Sequence, residues 1–200
     1  MKIIVVGATG TIGTAVAAAL KAARHEVVPV SRRGASAADL EDAGSLRKLF
    51  AAVKGVDAVV SCAGRAAFKP LTQLTDADFQ VGLRSKLMGQ VDLARIAMDH
   101  LSEGGSITLT GGVLAHEPMP GATAISLVNA ALEGFVLGAS VDLPRRLRIN
   151  LVSPPWITET LAALKMQAPG AISAAVCARA YVAAVEGNYQ GKTLDARQFT

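Results

Sequence analysis

Gly7, Gly10 and Gly13 stand three residues apart, spanning the junction between the apolar run Lys2-Ile3-Ile4-Val5-Val6 and an amphipathic stretch that begins at Thr11. A chain that turns sharply from strand into helix leaves the first N–H groups of the helix without partners. A phosphate satisfies them and meets the positive end of the helix dipole. Glycine serves such a turn where the backbone takes positive φ, where phosphate approaches closely and where helix packs on strand. The segment Gly7-Ala8-Thr9-Gly10-Thr11-Ile12-Gly13 therefore reads as the cradle of a dinucleotide pyrophosphate. Its spacing is G-x-x-G-x-x-G, with Thr9 where G-x-G-x-x-G would place glycine.

The end of the second apolar run speaks to which dinucleotide. An acid there, about 20 residues on, would bind a ribose 2′-hydroxyl. Here the chain reads Val30-Ser31-Arg32-Arg33, without an acid. A carboxylate would repel a 2′-phosphate, whereas arginine forks onto it with charge-assisted hydrogen bonds. NADP(H) is the expected cofactor, the alternative being two exposed loop arginines. Cys62 and Cys177 lie far apart and match neither a disulfide framework nor metal-ligand spacing, so no metal and a cytoplasmic setting are expected.

The elements that must position these residues alternate along 200 residues of 51% hydrophobic and 4% aromatic composition, which leaves Ala, Val, Leu and Ile to build the core. Strands are expected at 2–6, 26–31, 57–61, 106–110, 148–152 and near 192–194. Helices are expected at 11–23, 44–53, 75–100, 122–141 and near 171–186, with Thr75 as an N-cap. A loop is expected at 35–38. The alternation implies right-handed crossovers and an α/β, three-layer, doubly wound parallel sheet, a Rossmann fold, over residues 1–200 as one domain. No run is read as a membrane span or signal peptide. The net charge of +4 comes from scattered basic residues, so neither nucleic acid nor membrane is expected as a partner.

By order and content of its motifs the chain resembles the short-chain dehydrogenase/reductase family. Gly7 to Gly13 resembles the cofactor turn, Asp39-Leu40 the acidic-aliphatic pair at the adenine, and Cys62-Ala63-Gly64 the Asn-Ala-Gly beside the adenosine. Asn150-Leu151-Val152-Ser153-Pro154-Pro155-Trp156-Ile157 resembles the segment whose backbone holds the nicotinamide carboxamide, which implicates Pro154 and Ile157. Gly191-Lys192-Thr193-Leu194-Asp195 resembles the closing strand. The resemblance implies an oxidoreductase acting on a carbonyl or alcohol.

Alignment with the family's Tyr-x-x-x-Lys helix puts Ile125 at the Tyr position and Asn129 at the Lys position. Gly112 then falls where a Ser is usual, and Lys86 where the preceding long helix carries Asn. Isoleucine donates no proton, and loss of a positioned acid costs roughly 10²–10⁴-fold in rate. His116 and Lys86 are the remaining candidates for catalysis, each with the alternative of an exposed side chain. Tyr181 and Tyr189 do not fall at the missing Tyr position, and Cys62 is read as packing. Two readings remain open: an NADP(H)-dependent oxidoreductase with non-standard proton transfer on an unidentified small molecule, and a non-catalytic dinucleotide-binding sensor or interaction protein. Helices 75–100 and 122–141, rich in Ala and Gly, resemble the family's dimer-forming pair and imply a homodimer or homotetramer.

Overall fold

The computed structural model describes residues 1–34 and 36–200; Ala35, in the loop expected at 35–38, lies outside the described residues. Six parallel strands form one sheet in the order β2-β1-β3-β4-β5-β6. They are β1 Lys2–Val6, β2 Glu26–Val30, β3 Val56–Ser61, β4 Leu101–Thr110, β5 Arg148–Ser153 and β6 Thr193–Asp195. Alternation within β1 divides the two faces. Ile3 and Val5 join Val16 and Leu20 of helix α1 (Thr11–Ala22) and Tyr181 of helix α7 (Ala174–Glu186). Ile4 and Val6 join a second core with Leu46, Leu49 and Phe50 of α2 (Ala43–Ala52), Leu93 of α4 (Gly89–Ala97) and Leu132 of α5 (Thr123–Asp142). Strands covered on both sides are free to be Val- and Ile-rich throughout, as β1 is. This is the doubly wound arrangement that the alternation implies.

Strand order reverses at β1, which pairs with β2 on one side and β3 on the other. A crevice opens at such a reversal, beyond the carboxyl ends of the strands. Here the Gly7 and Ala8 amides donate to Val30 O at 2.9 and 3.1 Å, and Cys62 N–H donates to Val6 O at 2.8 Å. The turns after β1, β2 and β3 are thereby pinned around one opening.

Four expectations need correction. The helix expected over 75–100 begins as expected, with Thr75 and Asp78 forming a reciprocal capping box, but it comprises α3 Asp76–Gly82, a π-helical segment Leu83–Met88, and α4. Strand β4 starts at Leu101 rather than 106. Leu101 pairs with Val56 and fills the core, then the register shifts before Ser106 pairs with Ala58, so polar Ser102-Glu103 hides the strand from a periodicity reading. A helix, α6 Thr158–Leu164, occupies the stretch between the strand expected at 148–152 and the helix expected near 171–186, where no element is expected. Its Glu159 carboxylate accepts from Ala174 N–H at 3.0 Å and ties α6 to the start of α7. Lastly, α5 is long and apolar enough to cross a membrane by length and composition, with mean hydropathy 1.6. Ser126, Asn129 and Gly134 interrupt its apolar residues, which is why no single run stood out. It buries Ala124, Val128, Asn129, Leu132 and Val136 within the protein.

Candidate functional site

Two cavities flank the N-terminal turn of α1. The first, about 270 Å³, is lined by Gly7, Thr9, Gly10, Ser31, Arg32, Asp39, Leu40, Cys62, Ala63 and Gly64, together with Val6, Ala38, Glu41, Arg65 and Ser85. Gly7 has φ +82°, and a Cβ there would lie 2.8 Å from Cys62 O. At Gly13 a Cβ would sit 2.0 Å from Gly7 O, so Gly13 works behind the turn, letting helix close on strand. No side chain caps α1 at Gly10, and Thr11 is exposed at the first helical position. The uncapped amides and the room left by absent Cβ atoms suit a phosphate group.

Arg32 lines this cavity, while Arg33 is exposed outside the lining and accepts the Ser31 hydroxyl on its carbonyl. Neither guanidinium pairs with a carboxylate among the described residues. Sequence reasoning missed Glu41 and Arg65, which meet at 2.7 Å on the cavity wall, and Ser85, whose hydroxyl accepts from Arg65 N–H at 3.2 Å. Arg65 holds the Glu41 carboxyl below its usual range. The pair is far apart in sequence, so no local pattern announces it.

The second cavity, about 230 Å³, lies beyond the ends of β4 and β5. Leu114, Ile125, Pro155, Trp156 and Ile157 give it apolar walls, with Ile12, Pro154 and Thr160 completing that side. Trp156 meets Phe68 edge-on at 6.0 Å. Lys86, Thr110, Gly112 and Asn129 supply the polar part. Gln90 fixes the floor by donating to Thr110 O at 2.9 Å and accepting from Thr110 N–H at 2.8 Å. Lys86 Nζ donates to Gly111 O at 2.9 Å, and Asn129 Nδ2 to Gly112 O at 3.2 Å. Gly112 has φ +157°, and a Cβ there would press on Asn129 Nδ2 at 2.8 Å. The buried Asn129 Oδ1 has no partner among the described residues.

The structure thus gathers Lys86, Ile125, Asn129 and Gly112 around one cavity, and leaves His116 outside it. The His116 side chain is 71% exposed and pairs with Glu133 at 2.6 Å. Tyr181 is fully buried; its hydroxyl donates to Thr110 Oγ1 at 2.7 Å, and Thr110 in turn donates to Ser61 O. Burial pushes Lys86 down to about 8, and pushes the Tyr181 phenol and the Cys62 thiol well up. Cys62 is therefore a protonated thiol at neutral pH, which suits packing and not nucleophilic attack. Both cysteines are free.

Comparison with known proteins places this geometry in context. Residues 7–187 match the family model described as enoyl-(acyl carrier protein) reductase. Hydroxynaphthalene reductase arp2 of Aspergillus fumigatus is 32% identical over 103 residues, covering 51% of this chain and 38% of the relative. Elsinochrome reductase 1 of Elsinoe fawcettii is 32% identical over 146 residues, covering 68% of this chain and 55% of the relative. The chain thus spans about half, or less, of the length of the curated relatives it matches. Among solved structures, the protein lin1944 from Listeria innocua superposes with TM-score 0.93 at 36% identity, covering 98% of both chains. A small-chain dehydrogenase in complex with NADPH shares the fold, with TM-score 0.86 at 23% identity over 99% of both chains.

Proposed function

The chain belongs to the short-chain dehydrogenase/reductase family, and within that family of oxidoreductases we propose that it is an NADP(H)-dependent enzyme interconverting an apolar carbonyl compound and its alcohol. The observation that carries the reading is the pair of cavities on either side of the α1 turn. One is shaped for a dinucleotide's phosphate and adenosine, and the other is a small apolar chamber with few polar groups. In this reading the Gly7–Gly13 turn holds the pyrophosphate, and Asp39 and Leu40 flank the adenine with Cys62, Ala63 and Gly64. Arg32, with Arg33 beside it, meets the 2′-phosphate. Pro154 and Ile157 border the nicotinamide. When bound, that group supplies the hydride. The chain's own task is to orient the oxygen-bearing carbon, exclude water with Leu114, Ile125 and Trp156, and deliver a proton by a group other than tyrosine.

The names of two relatives, hydroxynaphthalene reductase and elsinochrome reductase, agree with an apolar, aromatic substrate class. Helices α4 and α5, the latter exposing Leu137 and Val141 beside open Gly134 and Gly138, support a homodimer or homotetramer, and the two free cysteines agree with a cytoplasmic setting. A second reading, dinucleotide binding without turnover, draws on Ile125, which offers no proton to the chamber.

Fluorescence titration with NADPH and NADH, followed by NADPH consumption over a panel of aromatic ketones, bicyclic ketones and quinones, tests both. NADPH is expected to bind the more tightly, and Arg32→Ala/Arg33→Ala to erase the preference. Loss of one charge-assisted bond is worth roughly 10–100-fold. Tighter NADH binding refutes the NADP(H) assignment, and tight NADPH binding without turnover across the panel favours the second reading.

A further inference from the structure

We propose that Lys86 is the catalytic acid of the second cavity, its ammonium group donating the proton that completes the substrate hydroxyl. The inference rests on the oxidoreductase reading above. Reduction of a carbonyl needs a hydride at carbon, which brings both electrons from a reduced nicotinamide dinucleotide, and one proton at oxygen. In the step proposed, the C=O π bond opens, the carbon takes the hydride and the oxygen takes a proton from Lys86 Nζ. Lys86 is left as a neutral amine and regains its proton from solvent through the cavity mouth. Alcohol oxidation runs the same transfers in reverse.

Geometry selects Lys86. Its ammonium lies on the cavity wall with one hydrogen bond, to Gly111 O at 2.9 Å, so two N–H bonds remain for a ligand. It is the cavity lining's one charged side chain among the described residues. A part-buried cation without a counter-charge is unusual unless something else is to meet it. The π-helical segment that carries it is a rare distortion that recurs at functional sites.

Three rival donors are committed elsewhere, and the Thr160 hydroxyl, also on the lining, is far too weakly acidic to stand in for an ammonium. The Thr110 hydroxyl gives its proton to Ser61 O, and Tyr181 is fully buried with its proton on Thr110. His116 is outside the cavity, against Glu133. Arg84, on the same segment, is exposed to solvent, and the charged groups of the neighbouring elements are occupied. Arg65, on the loop after β3, pairs with Glu41, and Glu159 of α6 accepts from the Ala174 amide. From α5 the residues facing Lys86's cavity are uncharged, Ile125 and Asn129, with Glu133 one turn on held by His116. Desolvation alone therefore governs the ammonium and places its titration near pH 8, close to where an acid works best.

The test uses the intact chain with NADPH and the ketone or quinone that turns over fastest. Wild-type reduction should be fastest below pH 8 and fall as pH rises through it, because the ammonium form is required. Lys86→Met should slow reduction about 10²–10⁴-fold and flatten the profile, while leaving NADPH affinity within a few-fold. Lys86→Arg should keep the charge yet lose the break near pH 8. A readout without turnover is the absorbance of 2-naphthol bound with NADP⁺. Its ionisation midpoint should lie a unit or more lower in wild type and Lys86→Arg than in Lys86→Met, because the cation stabilises the naphtholate. Wild-type rate and pH profile in Lys86→Met, or no difference in 2-naphthol signal while both proteins bind NADPH, overturns the proposal. Failure of wild type to bind NADPH would instead overturn the cofactor reading beneath it.

Discussion

Gly13→Ala is the substitution that most directly probes how strand, turn and helix are joined. The added Cβ would lie 2.0 Å from Gly7 O, 2.7 Å from Gly7 C and 3.0 Å from Ala8 Cα, all backbone atoms that no rotamer change can move. To restore ordinary van der Waals spacing the turn must open by about 1.4 Å, and overpacking of this kind costs about 1–3 kcal/mol. At roughly 2–4 °C per kcal/mol for a chain of this size, the melting temperature should fall by about 2–12 °C. The same opening displaces the amides between Gly7 and Gly10, so NADPH affinity should fall by roughly tenfold or more for each amide-to-phosphate hydrogen bond that is broken. Two controls separate packing from binding. Gly10→Ala brings its Cβ only to 3.4 Å from Gly7 O, so it should melt near wild type yet weaken NADPH binding. Gly134→Ala meets nothing within 4 Å and sits inside α5, so helix propensity should raise stability by about 0.5–1 kcal/mol. Calorimetry and fluorescence titration provide both readings. A Gly13→Ala protein that melts within a degree of wild type and binds NADPH equally well refutes this coupling of packing to binding.

Three further outcomes are expected. Tyr181→Phe removes the donor to Thr110 and should cost about 0.5–1.5 kcal/mol in chemical denaturation, while leaving NADPH binding and any turnover unchanged. Asp78 is held at about 2 by Lys69 and Thr75, below the usual value, so its stabilising share is present above pH 4 and lost as pH falls through 2; Asp78→Asn should flatten the melting temperature across that window. Light scattering at micromolar concentration should give at least twice the 20.5 kDa chain mass, and Leu137→Asp/Val141→Asp should reduce it to a monomer; a wild-type monomer refutes that interface.

The fold was largely legible because its determinants are local. The run Lys2–Val6 and the glycines after it encode a strand and a tight turn within a dozen residues, and the Thr75–Asp78 box lies within one helical turn. What escaped depends on distant partners. Leu101 becomes strand only because Val56 stands beside it, and Glu41 faces Arg65 only after the sheet forms. The cofactor cavity was readable from motifs, although Gly13 and Arg33 do not line it and Thr11 is exposed beside it. The second cavity was harder. Its character depends on Lys86 turning inward and His116 turning away, and each orientation is decided by packing that composition does not carry.

The π-helical segment bears on what this chain can tolerate over evolutionary time. Leu83–Met88 carries an extra residue relative to α geometry, and each residue of an α-helix turns the chain by about 100°. Deleting one residue there would close the bulge into plain α-helix with both flanks in phase, so the cost would fall on the segment itself. Gln90 and Leu93 would keep their core partners, while Ser85 and Lys86 would be drawn off the cavities they line. Point substitutions in this stretch can be absorbed one side chain at a time, whereas a change in its length cannot. The segment is constrained by counting more than by spelling.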